Sequence, residues 1–541
     1  MPKNKVKRVV FQPVAHTAFQ RGINQLANVI RPTLGPLPRQ VAVEPTAARG
    51  LPEMLDNGGL IARRIIALPN RDEDMGAMFL RHSLWRQHEQ SGDGTATAAV
   101  LFQSVFNEGV RYITAGGNAM LLRNAIENTL PLVMLELEQQ AIPVENLQKI
   151  TQVAESICYD AEMARVLGEI FDFIGEFGHL EIRSGRTRTI EREYVEGTFY
   201  KMALASGDMR KDYEKIRASA EDAAIFISDL NIENPGEFTP LLKMVIDAGI
   251  KSLVIIANEL PDNVINSLLA VSRHPEKFQA FAVRAPMGQD GRAVILEDIA
   301  VMTGGRPYLQ ILHARAEDVQ LEHLGQVRRT WADKEFFSLA GGKGSPQDVR
   351  SHIDELKRRY EVESDLDLRK NIRERIGKML SGSAVLWVGG LSETDIKARK
   401  EIAERTSEAL RAAILKGVMP GGGAALLACR PALQRRLEQV SGEEEKFACR
   451  ILLRALEEPT RTIIHNAGYD PHVWLDRVER AGAGSGFDVR SGKVVDMVQA
   501  GIVDSAGVIL SSARNAIASA ALALTVDTLV HHKKPETMLN T

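Results

Sequence analysis

Eight residues, Ser91-Gly92-Asp93-Gly94-Thr95-Ala96-Thr97-Ala98, bring together two glycines, one carboxylate and two threonine hydroxyls. Apolar residues at helical spacing flank them: Met75, Met78, Phe79 and Leu84 before, Val100, Leu101, Val105 and Val110 after. A glycine turn that opens onto a helix N-terminus leaves backbone N–H groups unpaired and converging on one spot. Phosphate fits that spot. Asp93 adds an oxygen ligand for a Mg²⁺ ion bridging phosphate oxygens, and Thr95 and Thr97 add hydroxyl donors. The same residues also suit a plain turn between two core helices with Asp93 as its cap. A short glycine motif alone does not separate the two readings.

Helices have to hold this loop. Up to about residue 140 the apolar residues mostly recur with a helical period. Residues 8–11 read as a short strand. Residues 16–30 form an amphipathic helix with Ile23, Leu26 and Ile30 on one face, stopped by Arg31-Pro32-Thr33-Leu34-Gly35-Pro36. Residues 118–139 form another. The middle of the chain changes character: runs rich in β-formers at 224–228, 253–256 and 278–283 alternate with helical patterns at 238–248 and 263–273. That alternation predicts βαβ units on a parallel sheet. Residues 349–380 read as a charged helical pair. Long helices return at 400–416, 424–428, 447–458 and 511–526. Neither helical end reads as complete, so the two are expected to pack together around an α/β insert.

Composition narrows the function. A chain of 541 residues exceeds one core and predicts two to four domains. Hydrophobic content of 44% and charged content of 25% suit a soluble globular protein. A net charge of −3 supplies no field to recruit nucleic acid or an anionic membrane. Aromatics, at 5%, do not interleave with basic residues as a base-stacking surface would. Cys158, Cys429 and Cys449 are scattered without metal-ligand spacing and fit a reducing compartment. The polar start Met1-Pro2-Lys3-Asn4-Lys5 carries no signal region. No segment reads as approaching the ~18 apolar residues of a membrane span. The expectation is a cytoplasmic protein without nucleic-acid or membrane partners.

Five motifs occur in a fixed order: Thr33-Leu34-Gly35-Pro36; Gly92-Asp93-Gly94-Thr95; Asp298-Ile299-Ala300 with Thr303-Gly304-Gly305; Gly421-Gly422-Gly423; and Val495-Asp496-Met497 with Gly501-Ile502-Val503-Asp504. Through them the chain resembles the group I chaperonins, the GroEL family, from about Arg8 to about Val526. The resemblance implies a multidomain α and α/β fold. A discontinuous helical equatorial domain would take residues 1–138 and 416–541, a small intermediate hinge domain 139–195 and 380–415, and an α/β apical domain 196–379. It implies ATP and Mg²⁺ as cofactors. Thr33, Leu34, Gly35 and Pro36 would line the nucleotide, Asp93 would hold Mg²⁺, and Gly94, Thr95 and Thr97 the phosphates. Gly422 and Gly423 would face the ribose and adenine, with Asp504 on the ribose hydroxyls. It also implies a homo-oligomer of seven-membered rings, single or double, that receives non-native proteins, and possible work with a co-chaperonin.

The departures from that family concern hydrolysis and clients. Two auxiliary carboxylates are expected to orient the attacking water. At the first position stand Asn57-Gly58, with Asp56 one residue early. At the second, twelve residues before Gly417, stands Arg405, preceded by Glu404. Neither an amide nor a guanidinium is a general base. Either hydrolysis is impaired, or Asp56 and Glu404 sustain it at a reduced rate, although neighbours on a helix point ~100° apart. The middle threonine of the phosphate loop is Ala96. In the client-binding segments Leu204, Met209, Leu242, Val264, Leu268 and Leu269 remain apolar, while Thr239 and Asp208 replace expected apolar residues; Leu242, Leu268 and Leu269 each also read as core residues. The tail His531-His532-Lys533-Lys534-Pro535 lacks a Gly-Met-rich run. Gly341-Gly342-Lys343-Gly344-Ser345 fails phosphate-loop spacing and reads as a hairpin turn. Two functions follow: an ATP-binding, ring-forming folding chaperonin, or a ring-forming scaffold or passive holdase without a productive ATPase cycle. The α/β insert carries no nucleophile-elbow or dinucleotide motif of a metabolic enzyme.

Overall fold

A computed structural model describes residues 8–44, 52–144, 146–209, 217–274, 277–286, 289–380 and 382–531. Residues 1–5 and the tail from 532 onward, both read above, lie outside the described residues. The chain divides into two compact units, one of Met1–Asp172 with Leu391–Thr541 and one of Phe173–Gly390.

The first unit is helical and takes its core from both ends of the chain. In Val14–Ile30 the residues Phe19, Ile23, Leu26 and Ile30 are buried, as the 3.6-residue period requires. They share one core with Phe102 and Phe106 of Thr95–Thr114, Leu452 and Leu456 of Glu443–Asn466, and Ile517 and Ala521 of Ala506–Ala523. Strand Arg8–Val10 pairs antiparallel with Leu529–His531. Beneath it, buried Asp72 accepts a hydrogen bond from Arg8 Nη2 at 2.8 Å and lies 2.8 Å from His531 Nε2. Two helices outrun their sequence signals. Glu443–Asn466 continues through Pro459, and Glu393–Lys416 begins seven residues before the expected 400. The expectation that no segment matches a membrane span is corrected by Ala506–Ala523, which is long and apolar enough. Most of it is buried against Thr95–Thr114 and Ala119–Glu138, so it is a core helix.

The second unit carries the α/β insert. Its six-stranded sheet runs in the order Thr198–Tyr200, Phe337–Gly342, Gly325–Ala332, Ala218–Ile227, Ser252–Ala257, Gln279–Arg284. The last three strands are parallel, with helices Thr239–Asp247 and Asp262–Val271 between them. The other three join antiparallel, which corrects the expected parallel sheet to a mixed one. A second sheet places Gly382–Val388 between His179–Ser184 and Ile190–Glu196. The charged helices Pro346–Val362 and Leu366–Met379 bury Ile353, Leu356, Ile372 and Ile376 against each other.

Two sequence motifs are structural here. Asp298, 2% exposed, is gripped by Arg375 through bonds of 2.7 and 2.8 Å and lies 2.8 Å from His352 Nε2. A carboxylate this deep is tolerated because it is fully paired. The 341–345 segment is not a hairpin turn. Gly341 and Gly342 end a strand, and Ser345 caps helix Pro346–Val362 through a bond from the Asp348 amide. The hairpin turn lies at 333–336, where Asp333 accepts from the amides of Glu335 and Phe336.

Candidate functional site

The glycine loop links Arg71–Ser91 to Thr95–Thr114. Gly92 ends the first helix at φ +66° and Gly94 begins the second at φ +80°. Both are left-handed conformations that favour glycine. Space demands glycine as well: a Cβ on Gly92 would sit 2.8 Å from Arg405 O, and one on Gly94 2.2 Å from Ser512 Oγ. No side chain caps the N-terminus of Thr95–Thr114, so Asp93 is not the cap that the plain-turn reading required. The first-turn amides stay open, with the positive end of the helix dipole behind them.

Polar side chains on Ala506–Ala523 pin the loop from behind. Gln87 Nε2 donates to Asp93 O at 3.2 Å, Ser511 Oγ at 2.9 Å and Ser512 Oγ at 3.0 Å. Ser512 Oγ donates to Gly94 O at 3.2 Å, and Asn515 Nδ2 donates to Gln87 Oε1 and Gln90 Oε1. Sequence reasoning missed this seam, because scattered serines in an apolar helix carry no periodic signal.

The other motifs converge on the same place. Leu34 packs in one cluster with Val100, Leu427 and Ile463, with Ala96 against them. Thr33 is buried, its hydroxyl bonded to Ile30 O at 2.8 Å, and Asn466 Nδ2 holds Leu34 O at 2.9 Å. Gly35 (φ +112°) and Pro36 are partly open beside them. Thr95 is buried and Thr97 partly exposed. Gly422 and Gly423 form a left-handed turn held by Thr460 Oγ1, which donates to Gly422 O at 3.2 Å. Asp504 sits in strand Val503–Ser505, paired with Val418–Pro420. Burial, then the nearby Asp93 charge, push its carboxyl up to about 7, against a hydrogen bond from the Gly422 amide.

The Asp93 carboxylate is the oxygen ligand a phosphate-bridging cation needs. Among the described residues no group of three or more His, Cys, Asp or Glu side chains could cage a metal. Mg²⁺ is commonly held by one or two carboxylates together with substrate phosphates, and the repulsion between Asp93 and Asp504 is what such a cation relieves. The residues therefore fit the ion.

The auxiliary positions are occupied by other work. Asn57, 5% exposed, is the N-cap of Gly58–Arg64: its side chain accepts from the Gly59 and Leu60 amides at 2.8 and 3.0 Å. The Arg405 backbone abuts Gly92 of the loop, and its side chain pairs with Asp56, Nη1 to Oδ1 at 3.8 Å. Glu404 is exposed and pairs with Lys400 one turn back at 3.9 Å. Glu404 therefore lies on another face of its helix than Arg405, an arrangement that disfavours the alternative in which Asp56 and Glu404 sustain hydrolysis.

Tyr159 and His88 were not anticipated. Tyr159 ends helix Leu147–Cys158 in a left-handed conformation and its hydroxyl reaches Gly35 O at 3.4 Å. Although 43% exposed, its phenol is pushed up by the protein around it and then by Asp93 and Asp504. Burial holds the His88 imidazole below its usual range, opposed by Asp93 and reinforced by Arg405.

The candidate client residues take the core reading. Leu204, Met209, Leu242, Val264 and Leu268 are buried in the core of the second unit, and Leu269 packs against it. The 204–209 segment lies along the sheet edge, where Leu204 bridges Val283 and Met209 sulfur accepts from the Ala282 amide. These side chains hold the unit together rather than present an apolar face. An open apolar cavity of about 370 Å³ lies instead between Thr239–Asp247 and Asp262–Val271. Ile246, 46% exposed, and Val271, 37% exposed, line it with Phe238 and the rim of Leu242.

Comparison with known proteins agrees with this architecture. The fold is shared with the chaperonin gp146 from bacteriophage EL 2 (Pseudomonas aeruginosa), crystallised in the presence of ATP-BeFx. The TM-score is 0.72 for one crystal form and 0.64 for another, at 18% identity over 97% of this chain and 99% of that one. Residues 26–534 match the TCP-1/cpn60 chaperonin family, a span that contains every wall of the site. The chain therefore belongs to the TCP-1/cpn60 chaperonin family, and its role is that of a chaperonin.

Proposed function

We propose that this chain is a cytoplasmic, ATP-binding chaperonin subunit that assembles with copies of itself into seven-membered rings, single or double, and receives non-native protein, with ATP hydrolysis impaired. The observation that carries the nucleotide reading is the uncapped N-terminus of Thr95–Thr114 beside Asp93, with Asp504 close enough to feel the same charge. Asp93 would hold Mg²⁺, which supplies charge neutralisation at the phosphates. The Thr95–Thr114 amides with Thr95 and Thr97 would take phosphate oxygens, Thr33–Pro36 and Gly422–Gly423 would flank the nucleoside, and Asp504 would accept from the ribose hydroxyls. The domain division at 138/139, 195/196, 379/380 and 415/416 belongs to this reading, as does a co-chaperonin. Client capture is assigned to the groove edged by Ile246 and Val271, because a partly open apolar groove accepts amphipathic segments without sequence preference.

The passive-holdase reading is favoured by one observation: the Asn57 oxygen is spent on capping and Arg405 is paired with Asp56. Calorimetric titration of the purified protein with Mg-ATP, beside electron microscopy and a phosphate-release assay, separates the readings. We expect saturable binding lost in Asp93→Ala, ring particles, and turnover below that of chaperonins with both auxiliary carboxylates. No binding removes the nucleotide reading, monomers in every condition remove the ring, and full turnover removes the impairment.

A further inference from the structure

Arg405 is more than a missing carboxylate. It sits where helix Glu393–Lys416 backs directly onto the phosphate loop: a Cβ on Gly92 would lie 2.8 Å from Arg405 O and 3.3 Å from Arg405 Cα. Its side chain is only 13% exposed, and Nε is buried with no hydrogen-bond partner. The ion pair to Asp56 spans 3.8 Å, beyond hydrogen-bond length. A buried guanidinium with an unsatisfied N–H is costly unless something else accepts from it. Its charge reaches His88, Cys158 and Tyr159. Tyr159 is also within the fields of Asp93 and Asp504. Two guanidiniums, Arg405 and Arg490, and two acids thus act on one phenol beside the loop, and of the two guanidiniums Arg405 is the one whose backbone abuts Gly92. The acids suit a metal ion; the guanidinium suits an anion.

We infer that Arg405 is a ligand for the terminal phosphate of a bound nucleoside triphosphate and makes this site prefer triphosphate over diphosphate. The inference rests on the nucleotide reading of the loop. A guanidinium offers a planar fork of donors that matches phosphate oxygens two at a time. It stays charged at every physiological pH, so it stabilises the third phosphate without taking a proton from water. Asp56 holds the fork when no phosphate competes for it. The substitution that removes a base therefore adds a grip, and the site is converted from cutting a triphosphate toward retaining it.

The test is calorimetric titration of the full-length protein in Mg²⁺ with ADP and with a triphosphate analogue whose β–γ bridge is nitrogen. The wild type should bind the analogue more tightly than ADP. Arg405→Gln should weaken the analogue by about 10–100-fold, the range of a lost charge-assisted hydrogen-bond pair, and change ADP by less than about 3-fold. Asp56→Asn, which frees the guanidinium and leaves Arg405 in place, should tighten the analogue and leave ADP unchanged. Equal loss for both ligands in Arg405→Gln, or an analogue affinity untouched by both variants, overturns the inference while the nucleotide site stands. A wild type that binds neither ligand overturns the nucleotide reading itself. Melting curves of each variant establish folding, and the Asp56→Asn result decides alone if Arg405→Gln does not fold.

Discussion

Asp504 holds its proton more tightly in the folded chain than an unfolded aspartate does, because burial and the Asp93 charge both oppose its ionisation. The sign of the linkage follows. A carboxyl raised from 3.8 to about 7 binds more protons folded than unfolded between those values, so stability falls as pH rises through that window and levels off above it. Asp504→Asn cannot ionise and should melt higher than the wild type at pH 8 without nucleotide, the gap closing as pH falls toward 4. A gap independent of pH would mean that neither burial nor Asp93 raises the Asp504 carboxyl. The same variant should bind nucleotide more weakly, because an amide accepts less strongly than a carboxylate. At this scale the sequence revealed residue types but not their partners. The glycines, Asp93 and Asp504 were legible from motif order. That Arg405 meets Asp56 and that Tyr159 reaches Gly35 depend on contacts 349 and 124 positions apart, which no local pattern encodes, whereas the Asn57 cap is a local signal that sequence reasoning passed over.

Elements decide how firmly the loop is held. Helix Ala506–Ala523 was legible as apolar, but its serines and Asn515 were not legible as a seam, since their bonds run to Gln87, Gln90 and Gly94 more than 400 residues earlier. Sheet direction was hidden for a related reason: the strands Gly325–Ala332 and Phe337–Gly342 return antiparallel through a short turn, and turn chemistry at Asp333 was overlooked. The seam makes a specific prediction. In Gly94→Ala the new methyl meets Ser512 Oγ at 2.2 Å and Val508 Cγ1 at 2.7 Å, on a backbone at φ +80°. Strain of this kind costs about 1–3 kcal/mol. The variant should melt lower and, where the strain falls on the binding-competent loop, lose about 5- to 150-fold in nucleotide affinity, the equivalent of that strain. Adding Ser512→Ala should restore only the steric part, leaving the double variant between Gly94→Ala and wild type. Full restoration would show that the φ at Gly94 is not strained for alanine, and no loss in the single variant would show that the loop is not pinned.

At the scale of the whole molecule, the first unit joins the chain's two helical stretches into one core, with Asp72 between Arg8 and His531 beneath the strand pair. The proposed nucleotide site draws on segments of that unit from Thr33 to Asp504. Its state therefore bears on the unit as a whole rather than on one loop. If Asn57 and Arg405 slow hydrolysis, client handling should be uncoupled from an ATP cycle. Suppression of aggregation of a thermally unfolded client, followed by light scattering, should need near-stoichiometric protein and proceed without ATP. Refolding yield should not rise when ATP is added. In Asn57→Asp with Arg405→Asp both carboxylates return. The first is structurally mild, because aspartate caps a helix as well as asparagine. Phosphate release should then rise by at least ~10-fold, the low end of what a positioned base supplies, and ATP should now increase refolding yield. Wild-type protein that refolds clients catalytically with ATP would show that hydrolysis proceeds through other groups. A double variant that folds, binds nucleotide and stays inactive would show that the block lies outside these two positions.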